Sequence, residues 1–101
     1  MIASGDIARR KDANGELLVV VLSNSMHVMA RTGRVITCPF MPGRVDDDLM
    51  TLVVGIGDPP GTMLIELVQW LPVIALGDPI GNVGPGALRQ ASAIVTALIG
   101  T

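Results

Sequence analysis

The feature that most constrains the fold is a short, uninterrupted apolar run, Leu17–Leu22. Its six residues are far fewer than the roughly 20 that cross a bilayer as a helix, so the run does not predict a membrane span. The surrounding segment Glu16–Ser23 is rich in β-branched residues and apolar on both faces, which is typical of a central strand buried on both sides. With 101 residues in all, the chain is expected to form a single domain, residues 1–101.

Short segments separated by glycine and proline turns predict further strands around this one. The clearest turn is Gly57–Gly61, which is expected to join two strands as a hairpin. Short strands of this kind predict a small antiparallel barrel over about residues 1–80, whose closure would leave no exposed edge. The other predicted strands are Ser4–Arg10, Arg34–Phe40, Thr51–Ile56 and Thr62–Leu67, with a short extended piece at Val73–Leu76.

The C-terminal segment follows a different period. Leu88, Ala91, Val95 and Leu98 are spaced so that they lie on one face of a helix. A proline near the start and a glycine after the end are usual helix boundaries, which places this helix at about residues 85–99. The predicted fold class is therefore mainly β with one C-terminal helix.

Charged residues are few, and they are unevenly distributed. A net charge of −2 argues against a strong nucleic-acid binder. However, six of the seven basic residues lie in the first 44 positions, which carry a net charge of +3, whereas the remainder carries −5. This asymmetry predicts either solvated loops or a basic face for a phosphate backbone or an acidic partner. The predicted RNA contacts on such a face are Arg9, Arg10, Lys11 and Arg31.

Half of the residues are hydrophobic, which is a high share for so short a chain. A small domain buries a limited fraction of its surface, so surplus apolar surface predicts a dimer or a tightly held partner. One cysteine cannot form an internal disulfide, and this favours a reducing cytoplasm. One histidine and one cysteine cannot furnish a tetrahedral zinc site, and Asp46–Asp48 lacks the spacing of a calcium loop. No metal and no cofactor are expected.

Cleavage of a phosphodiester without a metal needs cations beside the phosphate, together with an acid and a base. His27 is interpreted either as an exposed, satisfied imidazole or as a group that transfers a proton at a phosphate. Ser23 and Thr37 are candidate positioning hydroxyls. The predicted catalytic residues are His27, Arg34, Thr37 and Arg44.

Two further side chains are interpreted as structural. Cys38 lies in an apolar strand and is expected to be a buried thiol rather than a nucleophile. Trp70 is expected to fill the interior of the barrel, with a binding hot spot as the alternative.

Three short motifs occur in order along the chain, Ser4–Ile7, Val19–Asn24 and Val35–Pro39. They are similar to the opening, second strand and third strand of MazF-type toxins, and their order resembles the CcdB/MazF superfamily of bacterial type II toxin–antitoxin toxins. The similarity to CcdB extends over nearly the whole chain and includes Thr32–Arg34, Val54–Asp58 and Ile99–Thr101. The resemblance implies an SH3-like barrel with a C-terminal helix, a homodimer, and a cognate antitoxin that covers the binding surface.

The two branches of the superfamily imply different targets. MazF-type toxins are metal-independent endoribonucleases that use an arginine before strand two and a hydroxyl after strand three. This chain has no arginine in Asn14–Leu17 and has Met41 in place of the hydroxyl. CcdB-type toxins bind DNA gyrase through a C-terminal Trp-Gly-Ile. Here the corresponding gyrase-binding residues are Ile99, Gly100 and Thr101.

The sequence thus predicts a cytoplasmic toxin, and RNA is its favoured target because of the MazF-like opening and the basic N-terminal segment. A gyrase inhibitor is the main alternative. A catalytically degenerate binding module of the same fold is a further one.

Overall fold

The computed structural model describes residues 2–13, 15–43 and 52–100. Predictions that concern Arg44, Asp46–Asp48 and Thr101 lie outside these residues. The strands are β1 (Asp6–Arg10), β2 (Leu18–Val21), β3 (Arg34–Pro42), β4 (Val53–Gly57), β5 (Pro60–Leu64), β6 (Gln69–Pro72) and β7 (Leu76–Asn82). The helices are α1 (Ser25–Met29) and α2 (Gly84–Ile99), and there are 3-10 turns at Ile65–Leu67 and Val73–Ala75.

The strands form one antiparallel sheet in the order β4-β5-β3-β2-β1-β7. The long strand β3 organises it, because its first half pairs with β6 and its second half pairs with β5. In the described residues the end strands β4 and β7 do not pair with each other. The sheet is therefore open, and the predicted closure of the barrel is not observed. Pro79 lies in the edge strand β7, where a missing backbone donor is tolerated.

The predicted burial of the central strand on both faces is confirmed. Val20 is fully buried in one apolar cluster, together with Cys38 and Phe40. Its neighbours Val19 and Val21 are buried in a second cluster on the opposite face. Burial of each such side chain is worth about 1.5–3 kcal/mol, so this strand holds the two halves of the core together.

The C-terminal helix α2 covers the first of these clusters. Ala91 is buried there, and Ala87, Ile94 and Val95 pack against the same cluster. Leu98 was predicted on the apolar stripe, but it lies about half exposed near the end of the helix. Within the described ranges, no helix is long and apolar enough to cross a membrane.

The sequence predicted the region after the hairpin least well. Gln69–Pro72 forms strand β6, which was not predicted. Val73–Leu76 was predicted to be extended, but its first three residues form a 3-10 turn. Proline at position 72 removes a backbone donor at this point, and the four-residue strand is too short to show a clear alternation.

The side chain of Asn82 links the N-terminal segment to the start of α2. Its Nδ2 donates to the Ser4 carbonyl and to Asp6 Oδ1, each at 3.0 Å, and its Oδ1 accepts from the Gly84 amide at 2.8 Å. Asn82→Ala is therefore expected to lower the free energy of unfolding by about 1–3 kcal/mol, since Asp6 is buried and loses a donor. Chemical denaturation measures the change. The exposed Gln90→Ala on α2 is the control, expected within about 0.5 kcal/mol of wild type. Equal stability of the two variants would contradict this role of Asn82.

Cys38 is fully buried, as predicted, and burial raises the pKa of its thiol from 9.0 to about 12. Because the thiolate is the reactive form, we expect Cys38 of the native protein at pH 8 to react with a disulfide reagent only as fast as local unfolding exposes its thiol. Because the buried thiol is neutral, it contributes its full share to the free energy of unfolding below pH 9, and this contribution is lost as the pH rises toward 12. Rates of thiol labelling with and without denaturant measure how far the fold protects Cys38. Rapid labelling of the native protein would contradict the expected protection.

Candidate active site

A groove of about 620 Å³ lies between α2 and the connection from β2 to β3. Its apolar floor is formed by Leu22 and Ile36 from the sheet and by Leu88 and Val95 from the helix. Polar groups from both walls surround this floor. The combination of an apolar floor with a few polar groups is typical of ligand sites.

One wall of the groove is formed by Trp70 of strand β6. The indole is 57% exposed and therefore does not fill the interior of the barrel, which corrects the expectation from the sequence. Strand β6 pairs with the first half of β3, and this places Trp70 opposite Ile36 at the groove. A large, exposed aromatic ring at a groove is available for stacking or apolar contact with a ligand.

His27 lies at the rim of the groove and is held on three sides. Asn24 caps the short helix α1, because its Oδ1 accepts from the His27 amide at 2.9 Å. The imidazole packs edge-to-face against Trp70, with ring centroids 5.4 Å apart. Its Nδ1 lies 2.6 Å from Ser23 Oγ, and its Nε2 lies 3.5 Å from Thr32 Oγ1. The ring is thus oriented by the protein before any ligand binds.

One basic residue that lines the groove was not among the predicted site residues. Arg89 is exposed and lines the groove from α2, beside the hydroxyl-bearing Ser92 and Thr96. In the sequence, Arg89 is distinguished only as the one basic residue after position 44, in the segment with a net charge of −5. Its spacing of three and seven residues from Ser92 and Thr96 is the signal that marks a polar helical face next to the apolar stripe.

The first two predicted RNA contacts are engaged in ion pairs. Arg9 lies 3.3 Å from Glu16, and Arg10 donates two hydrogen bonds of 3.0 Å to Asp12. The bidentate contact raises the pKa of Arg10 and lowers the pKa of Asp12. Because nearby carboxylates balance both arginines, this part of the predicted basic face is electrostatically weaker than the sequence suggests.

The 3-10 turn Val73–Ala75 brings two other basic segments to one surface. The Lys11 amide donates to the Ala75 carbonyl at 2.7 Å, and the Val73 amide donates to the Gly33 carbonyl at 2.9 Å. Arg34 directly follows Gly33 in the sequence. Lys11 and Arg34 therefore flank the same turn although they are far apart in the chain, and both are exposed. Arg31 is exposed in the loop before Arg34 and has a positive φ of 51°.

Thr37 is not available to a ligand. Its side chain is fully buried, and its hydroxyl donates to the Gln69 carbonyl at 3.1 Å. Alternation along β3 places Thr37 on the opposite face from Ile36 and the groove. Its prediction as a catalytic residue is therefore corrected. Ile99, proposed for gyrase binding, is exposed at the end of α2 and is followed by Gly100.

A family model described as the type II toxin–antitoxin system toxin Rv0299 matches residues 5–98. The chain belongs to this family. The Mycobacterium tuberculosis protein Toxin Rv0299 is 62% identical over 99 residues, which cover 98% of this chain and 99% of the relative. The prediction of a type II toxin–antitoxin toxin is thereby confirmed, and a cognate antitoxin is the expected partner of the toxin.

Solved structures of MazF type share the fold of the toxin. An endoribonuclease in complex with its cognate antitoxin, from mycobacterial species, has a TM-score of 0.79 at 18% identity and covers 99% of this chain and 96% of its own. A chain of the MazE–MazF complex from Deinococcus radiodurans has a TM-score of 0.81 at 16% identity and covers 99% of this chain and 97% of its own. At these identities the likeness establishes the fold: an antiparallel sheet with a C-terminal helix.

Proposed function

We propose that the toxin is a metal-independent endoribonuclease that arrests growth by cutting RNA. The observation that supports this proposal best is the oriented imidazole of His27 at the rim of a groove that Arg89 also lines. The mycobacterial protein of the same fold that is described as an endoribonuclease adds support.

Metal-free cleavage of RNA places specific demands on such a site. The 2′-oxygen bonds to phosphorus and gives its proton to a water molecule, while the bond from phosphorus to the 5′-oxygen breaks and that oxygen takes a proton from water. Negative charge builds on the phosphoryl oxygens, so cations and N–H donors directed at them lower the barrier. Thr32 links His27 to the backbone of Arg34, because its hydroxyl lies near the imidazole and donates to the Arg34 carbonyl. Alternation along β3 places the Arg34 side chain on the same face as Ile36, which lines the groove. We place the scissile phosphate beside the pair of His27 and Arg34.

The surroundings of this pair suit a single-stranded nucleic acid. The groove volume falls within the range of about 300–1,000 Å³ for small-ligand sites, which accommodates one nucleotide. Trp70 offers a face on which a base can stack, and Arg89 offers a charge for a neighbouring phosphate. We assign backbone contacts to Lys11 and Arg31, with a smaller contribution from the ion-paired Arg9 and Arg10.

Arg34→Ala is expected to lower the rate of RNA cleavage by about 10- to 100-fold, because we assign the guanidinium to stabilise the negative charge that develops on the phosphate in the transition state. Cleavage of a labelled RNA in the presence of EDTA measures the effect. For comparison, Arg9→Ala removes an assigned backbone contact that is already paired with Glu16, so it is expected to lower the rate by no more than about threefold. Equal losses in the two variants would argue for general electrostatic attraction instead of a site at Arg34.

Two other functions are separable by experiment. A gyrase inhibitor requires that removal of residues 99–101 abolishes growth arrest while the fold and oligomeric state persist, whereas the ribonuclease proposal expects arrest to continue. A degenerate binding module would cut no RNA under any condition. Absence of cleavage by the purified toxin would overturn the ribonuclease proposal.

We further propose that the toxin acts in the cytoplasm as a homodimer. Several large apolar side chains are exposed in the isolated chain, which is costly for a small protein unless they are covered. The most exposed of them are Met26, Met29, Ile74 and Ile99. Sedimentation at micromolar concentration tests this, and a monomeric mass would overturn it.

A further inference from the structure

Four side-chain and backbone groups around His27 form a chain of hydrogen bonds with a fixed group at each end. At one end the Ile36 amide donates to Ser23 Oγ at 2.7 Å. At the other end Thr32 Oγ1 donates to the Arg34 carbonyl at 3.1 Å. A backbone N–H can only donate and a carbonyl can only accept, so these ends set the direction of the whole chain.

The Ser23 end determines that Nδ1 of the neutral ring carries no hydrogen. Ser23 is 2% exposed, and its oxygen accepts from the Ile36 amide, so the hydroxyl proton needs an acceptor within the protein. That acceptor is Nδ1 of His27, at 2.6 Å. In the neutral ring, Nδ1 therefore carries a lone pair and no hydrogen.

The Thr32 end requires the same arrangement. The Thr32 hydroxyl donates its proton to the Arg34 carbonyl, and its oxygen accepts from the Arg34 amide at 3.4 Å. Thr32 therefore has no proton left for His27, and its second lone pair can only accept from a hydrogen on Nε2, across a long contact of 3.5 Å. Both ends thus favour the ring form with hydrogen on Nε2. The long contact also means that a better acceptor, such as a phosphate oxygen, can replace Thr32 at small cost.

We infer that Ser23 is a positioning residue that holds neutral His27 with its hydrogen on Nε2, so that the ring donates a hydrogen bond at the groove rim and does not abstract a proton there. This assignment differs from both interpretations of His27 that the sequence allows, a satisfied imidazole without a role and a group that transfers a proton. Its catalytic meaning rests on the proposed ribonuclease function: Nε2–H is directed at an oxygen of the scissile phosphate.

The chain offers an unusually direct test, because His27 is its single histidine. Long-range proton–nitrogen correlation spectra of the full-length, ¹⁵N-labelled protein at pH 8 contain the imidazole signals of this residue alone. We expect the pattern of a hydrogen on Nε2 and a bare Nδ1. A wild-type spectrum with the hydrogen on Nδ1, or with the averaged signals of both forms, would overturn the inference without any variant.

Variants then assign the effect to Ser23. Ser23→Ala is expected to give averaged signals of the two ring forms, and Ser23→Thr, which keeps the hydroxyl, is expected to restore the wild-type pattern. Ser25→Ala is the matched control, since Ser25 lies exposed on α1, the short helix that carries His27, and does not line the groove. An unchanged imidazole spectrum in a folded Ser23→Ala would show that Ser23 does not set the ring form.

Cleavage assays connect the ring form to the reaction. Ser23→Ala is expected to lower kcat by about 10- to 100-fold, the range seen when a group that orients a histidine is removed, with little change in KM. Ser23→Thr should recover most of the rate. If the spectra agree but no variant or wild type cuts RNA, the proposed function fails and the inference on the ring form stands. If the ring form changes and kcat does not, the positioning role is overturned.

Discussion

Replacing His27 by alanine is expected to lower the rate of RNA cleavage by about 100- to 1,000-fold. This is the usual effect of removing one hydrogen-bond donor to an oxygen that becomes negatively charged in the transition state. The protein orients the ring through Ser23 and Trp70, and Asn24 holds the backbone amide of His27. Single-turnover cleavage of a labelled RNA in EDTA measures the loss, and growth arrest in cells should be relieved in parallel.

Two variants make the His27 experiment specific. Met26→Ala changes an exposed residue on the same helix that does not line the groove, and its rate is expected to stay within about threefold of wild type. His27→Gln retains an N–H donor near the position of Nε2 and is expected to keep more activity than His27→Ala. If His27→Ala cuts RNA at the wild-type rate, the catalytic site lies elsewhere in the chain.

The parts of the fold that the sequence predicted are those whose pattern is local. Strand β2 carries an apolar run too dense for a surface strand, and α2 carries a helical stripe with proline and glycine at its ends. Strand β6 was missed because its pairing with β3 is a long-range contact, and its four residues show no period of their own. Local pattern also cannot decide whether a sheet closes, since that depends on how its end strands meet.

The candidate site was predicted in part, for a related reason. His27 and Arg34 were selected by residue type, and both lie beside Thr32 in the structure. Thr37 was selected wrongly because β3 is buried on both faces in this region, so the apolar pattern does not reveal which face it occupies. Arg89 was missed because it approaches the groove from α2, and only the packing of the helix on the sheet brings it there.

A large loss of stability is also expected from Gly61→Ala in strand β5. A β-carbon built at Gly61 would lie 2.6 and 2.8 Å from Cε2 and Cε1 of Phe40, and Cζ is closer still. Phe40 is itself buried in the first apolar cluster, so its ring has no free space to move into. Overpacking of this kind costs about 1–3 kcal/mol or more, and a loss of about 2 kcal/mol lowers the Tm of a domain of this size by roughly 8–16 °C.

Gly55→Ala is the matched control for this prediction, because Gly55 lies in the neighbouring strand β4 and a β-carbon there contacts nothing within 4 Å. Its stability should stay near wild type. The double variant Phe40→Leu with Gly61→Ala should lose less stability than the sum of its single changes, because the smaller side chain removes the clash. Additive losses, or equal stability of Gly61→Ala and Gly55→Ala in thermal unfolding, would show that the Phe40 ring does not require glycine at position 61. A coupled loss would instead place the Phe40–Gly61 contact among the determinants that hold β3 and β5 together in the core.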